Sequence, residues 1–207
     1  MDYINFKNST AILDQSVWQP MCHALAYSNV DVYKFLSTQN IETVATVDSA
    51  CELSYQPYKL NLFGTSLTAS DFNSKESYVL SSANGSLTVA NLDSAGFPVD
   101  IIPDLKYEKF TTASLWDSSP YSKKLTDTDK SNIYLGRYFK KIGQKFFIFS
   151  NDKNQIRQAI LEGFDYLKPG DLFLWMAEEK VFDGRKLFWI FKKMQKYNEV
   201  MLKIKKF

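Results

Sequence analysis

The run KFFIFSNDKNQIRQAILEGFDYLKPGDLFLWM, residues 145–176, constrains the fold more than any other part of the chain. Its first six residues read as a buried strand, because an apolar run this short leaves no polar face for solvent. Ser150 or Asn151 can then cap a helix from Asp152 to Leu167, in which Ile156, Ile160 and Phe164 follow one another at helical spacing. KPGD at 168–171 makes a turn and LFLWM at 172–176 a second strand. Strand, helix and strand over about 30 residues fit a βαβ unit, or an antiparallel return.

Beyond it, Asp183-Gly184 suggests a hairpin turn between two aromatic-rich runs. A helix competes there, since Leu187, Ile190, Met194, Tyr197, Met201 and Ile204 recur every three or four residues. For 186–193 the hairpin is preferred, because Phe188, Trp189, Ile190 and Phe191 crowd together as a two-faced strand would. A turn at Tyr197-Asn198 and a last strand EVMLKIK complete this reading.

Upstream, Ser9 or Thr10 caps a helix through Trp18, and Pro20 opens a second from Met21 to Leu36. From Ile41 to about Trp116 short β-type runs alternate with Ser, Asn, Asp, Gly and Pro. Asn84-Gly85 favours a type I′ hairpin that sets Leu80 opposite Val89 and Ser82 opposite Leu87. TVATVD, YKLNLFG and PVDIIPDLKYEKF read as further strands, with Pro98 and Pro103 pushing the last towards a sheet edge. Polar residues 117–132 suggest a linker, giving a helical and β-rich part at 1–120, a linker at 121–132 and a basic α/β part at 133–207. The expected class is α+β: N-terminal helices, a β-rich middle with hairpins, and a C-terminal β-α-β followed by an antiparallel hairpin.

The single histidine, His23, stands beside Cys22, one of two cysteines. Neighbouring side chains point about 100° apart on a helix and to opposite sides of a strand. Cys22 therefore cannot readily use His23 as its base, and with no second histidine the Ser-His-Asp and Cys-His mechanisms are excluded. Cys22, His23 and Cys51 are too few for a structural zinc site. Phosphate-loop and dinucleotide fingerprints are absent, so no cofactor is expected. Glu178-Glu179-Lys180 has the Glu-x-Lys form of metal-dependent nucleases, but Asp171, Asp152 and Asp165 are poorly spaced as its partner carboxylate. A solvated strand end explains those three residues more simply, and a non-enzymatic protein is expected.

The net charge of +2 hides an asymmetry. Residues 1–121 hold 6 Lys against 13 Asp or Glu, a balance of −7; residues 122–207 hold 19 Lys or Arg against 10 Asp or Glu, a balance of +9. Rings close when one face of a subunit meets a different face of the next, and opposite halves suit that contact. Residues 185–207 carry 8 Lys or Arg and one acid, interleaved with Phe188, Trp189, Phe191 and Tyr197. Such a mixture suits a subunit interface, nonspecific contact with a nucleic-acid backbone, or a solvated face. Trp189, Lys192, Lys193, Lys196 and Tyr197 are the expected assembly-interface residues. The acidic N-terminus lacks a signal-peptide pattern, no run is long and apolar enough to span a membrane, and a soluble, unsecreted protein is expected.

The segment from LKPGDLFLWM to NEVMLKIKK resembles the closing β segment of tailed-bacteriophage virion proteins of the head-tail connector, adaptor and stopper class. Gly170 and Asp171, Trp189 and Ile190, and Asn198 to Val200 carry the likeness, over about 40 residues. It implies a structural subunit of a virion assembled in the host cytoplasm, a homo-oligomer contacting other assembly proteins. The alternatives are a metal-dependent nuclease or nonspecific nucleic-acid binder using the basic C-terminal face, and a small cytoplasmic interaction module.

Overall fold

In the computed structural model the described residues are 3–17, 21, 24, 30–49, 99–106, 110, 120–121 and 124–196. Among them five strands form one parallel sheet: β1 (Ser9–Leu13), β2 (Ile41–Thr46), β3 (Val99–Ile102), β4 (Phe146–Phe149) and β5 (Asp165–Leu167), in the order β3-β2-β1-β4-β5. The helices are α1 (Val32–Thr38), α2 (Asp127–Ile142), α3 (Lys153–Leu161), α4 (Pro169–Glu178) and α5 (Gly184–Lys196).

Side chains alternate between two cores. Ala11, Leu13, Ala45, Phe147, Phe149 and Leu167 meet Phe35 and Leu36 of α1, Trp175 and Met176 of α4 and Ile190 of α5 on one face. Ile12, Val44 and Ile148 meet Ile133, Leu135 and Phe139 of α2, together with Ala159 of α3 and Phe164, on the other. Both faces are covered, which is why a parallel strand reads as an unbroken apolar run. The first core is organised around Trp175, which is 1% exposed, stacks on Tyr3 at 5.4 Å and meets the Phe35 ring edge-on at 5.0 Å.

Several sequence expectations give way to this arrangement. The class is mixed α/β with a parallel sheet, and the antiparallel C-terminal hairpin is not formed. The helix expected from Ser9 or Thr10 is strand β1, buried at all five positions and paired on both sides. A surface helix needs a polar face, and STAIL has none to spare. Lys168–Asp171 does not turn into a strand: Pro169 occupies the first turn of α4, whose buried Leu172, Phe173, Trp175 and Met176 form a helical stripe. The strand that completes the β-α-β unit lies earlier, at Asp165–Leu167, after α3 ends at Leu161. Asp183-Gly184 starts a helix, with Asp183 Oδ1 accepting from the Lys186 amide at 2.7 Å, so the rival helical periodicity prevails over 184–196. Residues 127–132 of the expected linker are the first turns of α2, held by a Thr126–Asp129 capping box.

Other expectations hold in part. Of TVATVD, residues 43–46 belong to β2; of PVDIIPDLKYEKF, residues 99–102 are strand and Asp104–Lys106 forms a 3-10 helix after Pro103; among the described residues β3 lies at the sheet edge, as its flanking prolines predict. The second expected helix is α1 over its final part, from Val32. YKLNLFG, the Asn84-Gly85 hairpin and the last strand lie outside the described residues. Among the described residues no helix is long and apolar enough to cross a membrane.

Gly136 fixes how closely α2 sits on the sheet. A Cβ there would lie 2.8 Å from Phe164 Cε2 and 3.1 Å from Phe146 Cε2, on two rings that are themselves in edge contact. Gly136→Val is expected to destabilise the fold by about 1–3 kcal/mol, despite removing a helix glycine, because overpacking must displace both rings. Thermal denaturation checks this; an unchanged or raised midpoint would contradict the close approach.

Candidate functional site at the carboxyl ends of β1 and β4

From β1 the chain builds the sheet outward through β2 to β3, and from β4 outward through β5, so the order reverses between β1 and β4. In open α/β sheets the crevice at the carboxyl ends of such a strand pair is the usual ligand position. Here it holds Asp14, next after β1, and Ser150, next after β4.

Asp14 is 4% exposed and its amide donates to the Phe149 carbonyl at 2.9 Å, extending the β1–β4 pairing. Its Oδ2 accepts from the Ser16 amide at 3.1 Å, from Ser150 Oγ at 3.0 Å and from Ser16 Oγ in a short hydrogen bond. Its Oδ1 faces Asn132 Nδ2 of α2 and Gln155 Nε2 of α3, each at 3.4 Å. Asn132 joins this node to a second one at the end of β2, its Oδ1 accepting from Thr46 Oγ1 at 3.3 Å and Ser49 Oγ at 3.1 Å. Thr46 and Ser131 hydroxyls lie 2.8 Å apart. The node therefore ties β1, β2, β4, α2 and α3 to one carboxyl group.

Burial raises the Asp14 pKa, and the nearby charge of Asp152 adds to it; the Ser16 and Ser150 hydrogen bonds act in the opposite direction. Asp129 on α2 is raised to about 7, by burial first and by Asp14 second. Three carboxyl groups thus press on one another at this end of the sheet. Among the described residues no three His, Cys, Asp or Glu side chains are grouped to hold a metal ion.

A phosphate would normally use the amides at the start of the helix after β4. Four amides here are already engaged: Asn151 N with Ser16 Oγ at 2.8 Å, Asp152 N with Ser150 Oγ at 2.9 Å, and Asn154 N and Gln155 N with Asp152 Oδ1 at 2.7 and 2.8 Å. Filled donors and clustered carboxylates disfavour an anionic ligand. The arrangement binds the chain to itself and can hold a proton at Asp14 or Asp129.

The sequence-predicted residues lie elsewhere. Trp189 and Lys192 are exposed on α5, Lys193 and Lys196 belong to the same helix, and Tyr197 lies outside the described residues, as do Cys22, His23 and Cys51. Glu178 and Glu179 end helix α4, not a strand, and Glu179 is engaged with Lys7 Nζ at 3.1 Å and Trp175 Nε1 at 3.3 Å. Asp171 lies in the first turn of the same helix, Asp152 caps α3, and Asp165 is an exposed residue of β5, so the Glu-x-Lys reading loses the strand it assumed. Asp14, Ser16, Asn132, Ser150 and Gln155 were not singled out by sequence reasoning; their signal is an apolar run ending in Asp-x-Ser, and another ending in Ser-Asn-Asp. The sequence matches no protein-family model, and no curated protein matches it.

A pH test follows from Asp129. Its folded pKa of about 7 lies above the unfolded value of 3.8, so the fold prefers the protonated acid. The stability this group contributes is full below about 4, declines as pH rises through about 7, and is level above that. Asp129→Asn, which keeps an acceptor for the Thr126 amide, is expected to flatten the fall in melting temperature between pH 5 and pH 8. Equal pH slopes in wild type and variant would contradict the assignment.

Proposed function

We propose that the chain is a non-enzymatic subunit of an oligomeric assembly, joined to its neighbours through the exposed face of α5. The supporting observation is a side-chain stack on that helix. Phe188 and Trp189 are 59% and 49% exposed, with ring centroids 5.9 Å apart in edge contact, and the Lys192 ammonium lies 5.0 Å from the Trp189 centroid and 5.9 Å from that of Phe188. Ile190 of the same helix is 2% exposed and belongs to the core, so the aromatic pair is presented from an anchored element. Aromatic anchors beside cations are what protein interfaces concentrate. The acidic balance of residues 1–121 supplies a complementary charge on a second copy.

A head-tail connector or tail subunit of a phage virion is the setting that the C-terminal likeness suggests. That likeness is one of sequence, since Gly170, Asp171, Trp189 and Ile190 lie on helices and not in a closing β segment. The proposal therefore rests on α5 itself. The same basic and aromatic face would suit contact with a nucleic-acid backbone, which is the second reading.

Light scattering at several concentrations and salt levels decides between them. The wild-type chain is expected to form a salt-sensitive oligomer that falls to monomer on combining Trp189→Ala with Lys192→Glu, Lys193→Glu and Lys196→Glu, with circular dichroism unchanged. Trp189→Ala alone is expected to weaken association by about 2 kcal/mol or more. A strict monomer under every condition contradicts the assembly reading. If that monomer binds duplex DNA with steep salt dependence and the charge variant does not, the nucleic-acid reading replaces it.

A further inference from the structure

Among the described residues one buried polar atom at the crevice has no hydrogen-bond partner: Gln155 Oε1, on a residue that is fully buried. The other end of the same amide, Nε2, lies 3.4 Å from Asp14 Oδ1, a long contact for a bond to a carboxylate. A buried acceptor without a donor is costly, and exchanging the two ends of a glutamine amide needs only a rotation about its last side-chain bond. The exchanged arrangement places Oε1 against Asp14 Oδ1, and two oxygens can share that contact only if one of them carries a proton.

We propose that Asp14 and Gln155 form a proton-operated latch between β1 and α3. In the protonated state Asp14 Oδ1–H donates to Gln155 Oε1, which gains the donor it lacks, while Nε2 turns to the side that Oε1 leaves. In the ionised state Gln155 Nε2 donates to Asp14 Oδ1 and Oε1 is left without a donor. Asp14 Oδ2 keeps its bonds from Ser16 and Ser150 in both states, so one proton and one amide rotation separate them. The proton comes from solvent and returns to it.

The charges acting on the pair favour the closed state. Asp152 faces it from the cap of α3, and Asp129 from α2. Lys130, beside Asp129, is paired with Asp127 at 3.1 Å on the outer side of the helix, and the groups contributed by β4 and the loop after β1 are the neutral hydroxyls of Ser150 and Ser16. Burial of the acid acts in the same direction. The device thus couples one proton on Asp14 to the orientation of one buried amide on α3.

Carbon and side-chain amide resonances followed by NMR across pH 3 to 9 test this on the wild-type chain, with the ordinary aspartate range as the reference. The Asp14 carboxyl carbon is expected to titrate well above the ordinary aspartate range, and the Gln155 amide resonances to shift with the same midpoint. Asp129→Asn should leave that linked response in place, which separates it from the titration of Asp129. Asp14→Asn should abolish the Gln155 response. The latch is overturned if Asp14 titrates within the ordinary aspartate range, or if the Gln155 amide stays fixed while Asp14 titrates; the wild-type titration decides this even where Asp14→Asn fails to fold.

Discussion

The pairing of β1 with β4 holds the rest of the structure together. Strands β1 to β3 and strands β4 to β5 belong to one sheet only because Thr10 to Leu13 lie beside Phe146 to Phe149, and the Asp14 amide continues that ladder to the Phe149 carbonyl at 2.9 Å. Within the sheet, the acidic front of the chain and its basic back meet along that one strand pair. Asp14 closes the end of that pair, and the crevice beyond it is built from residues that pair with one another.

Such a closed node has functional consequences. In a sheet of this topology the carboxyl ends of the reversal pair are where substrates and nucleotides are ordinarily received. In this chain four of the amides that would receive an anion are bonded to Ser16, Ser150 or Asp152, and Asp152 beside them carries negative charge. Among the described residues Phe188, Trp189 and Lys192 face outward from α5, a helix rooted by Ile190. The proposed contact with another subunit uses that face.

The sequence makes part of this legible. The β-α-β unit is visible because KFFIF has no polar face and the next residues cap a helix, and β3 is recognisable as an edge strand from Pro98 and Pro103. Serine and threonine in STAIL mislead, because they are good caps when exposed but here point into a sheet covered on both sides. LFLWM misleads for a related reason: a helix buried on most of its surface has the same unbroken apolar texture as a buried strand, and only Pro169 at its start and a continuing run to Glu178 distinguish them. Asp183-Gly184 can turn a hairpin or cap a helix, and the every-three-or-four spacing after it was the stronger signal. Asp14 escapes notice because its partners, Asn132, Ser150 and Gln155, lie more than a hundred residues away along the chain. No local pattern records a long-range hydrogen bond.

Amide hydrogen exchange at Ser16, Asn151 and Asp152 tests most directly whether this crevice is a closed internal node. If it is, these three loop amides, each bonded to Asp14 or to a serine that Asp14 holds, exchange as slowly as the neighbouring strand amides of β1 and β4 and open only with the whole domain. Rapid exchange at all three, with β1 and β4 still protected, would mean that the loops open independently and that the crevice is free to receive a ligand.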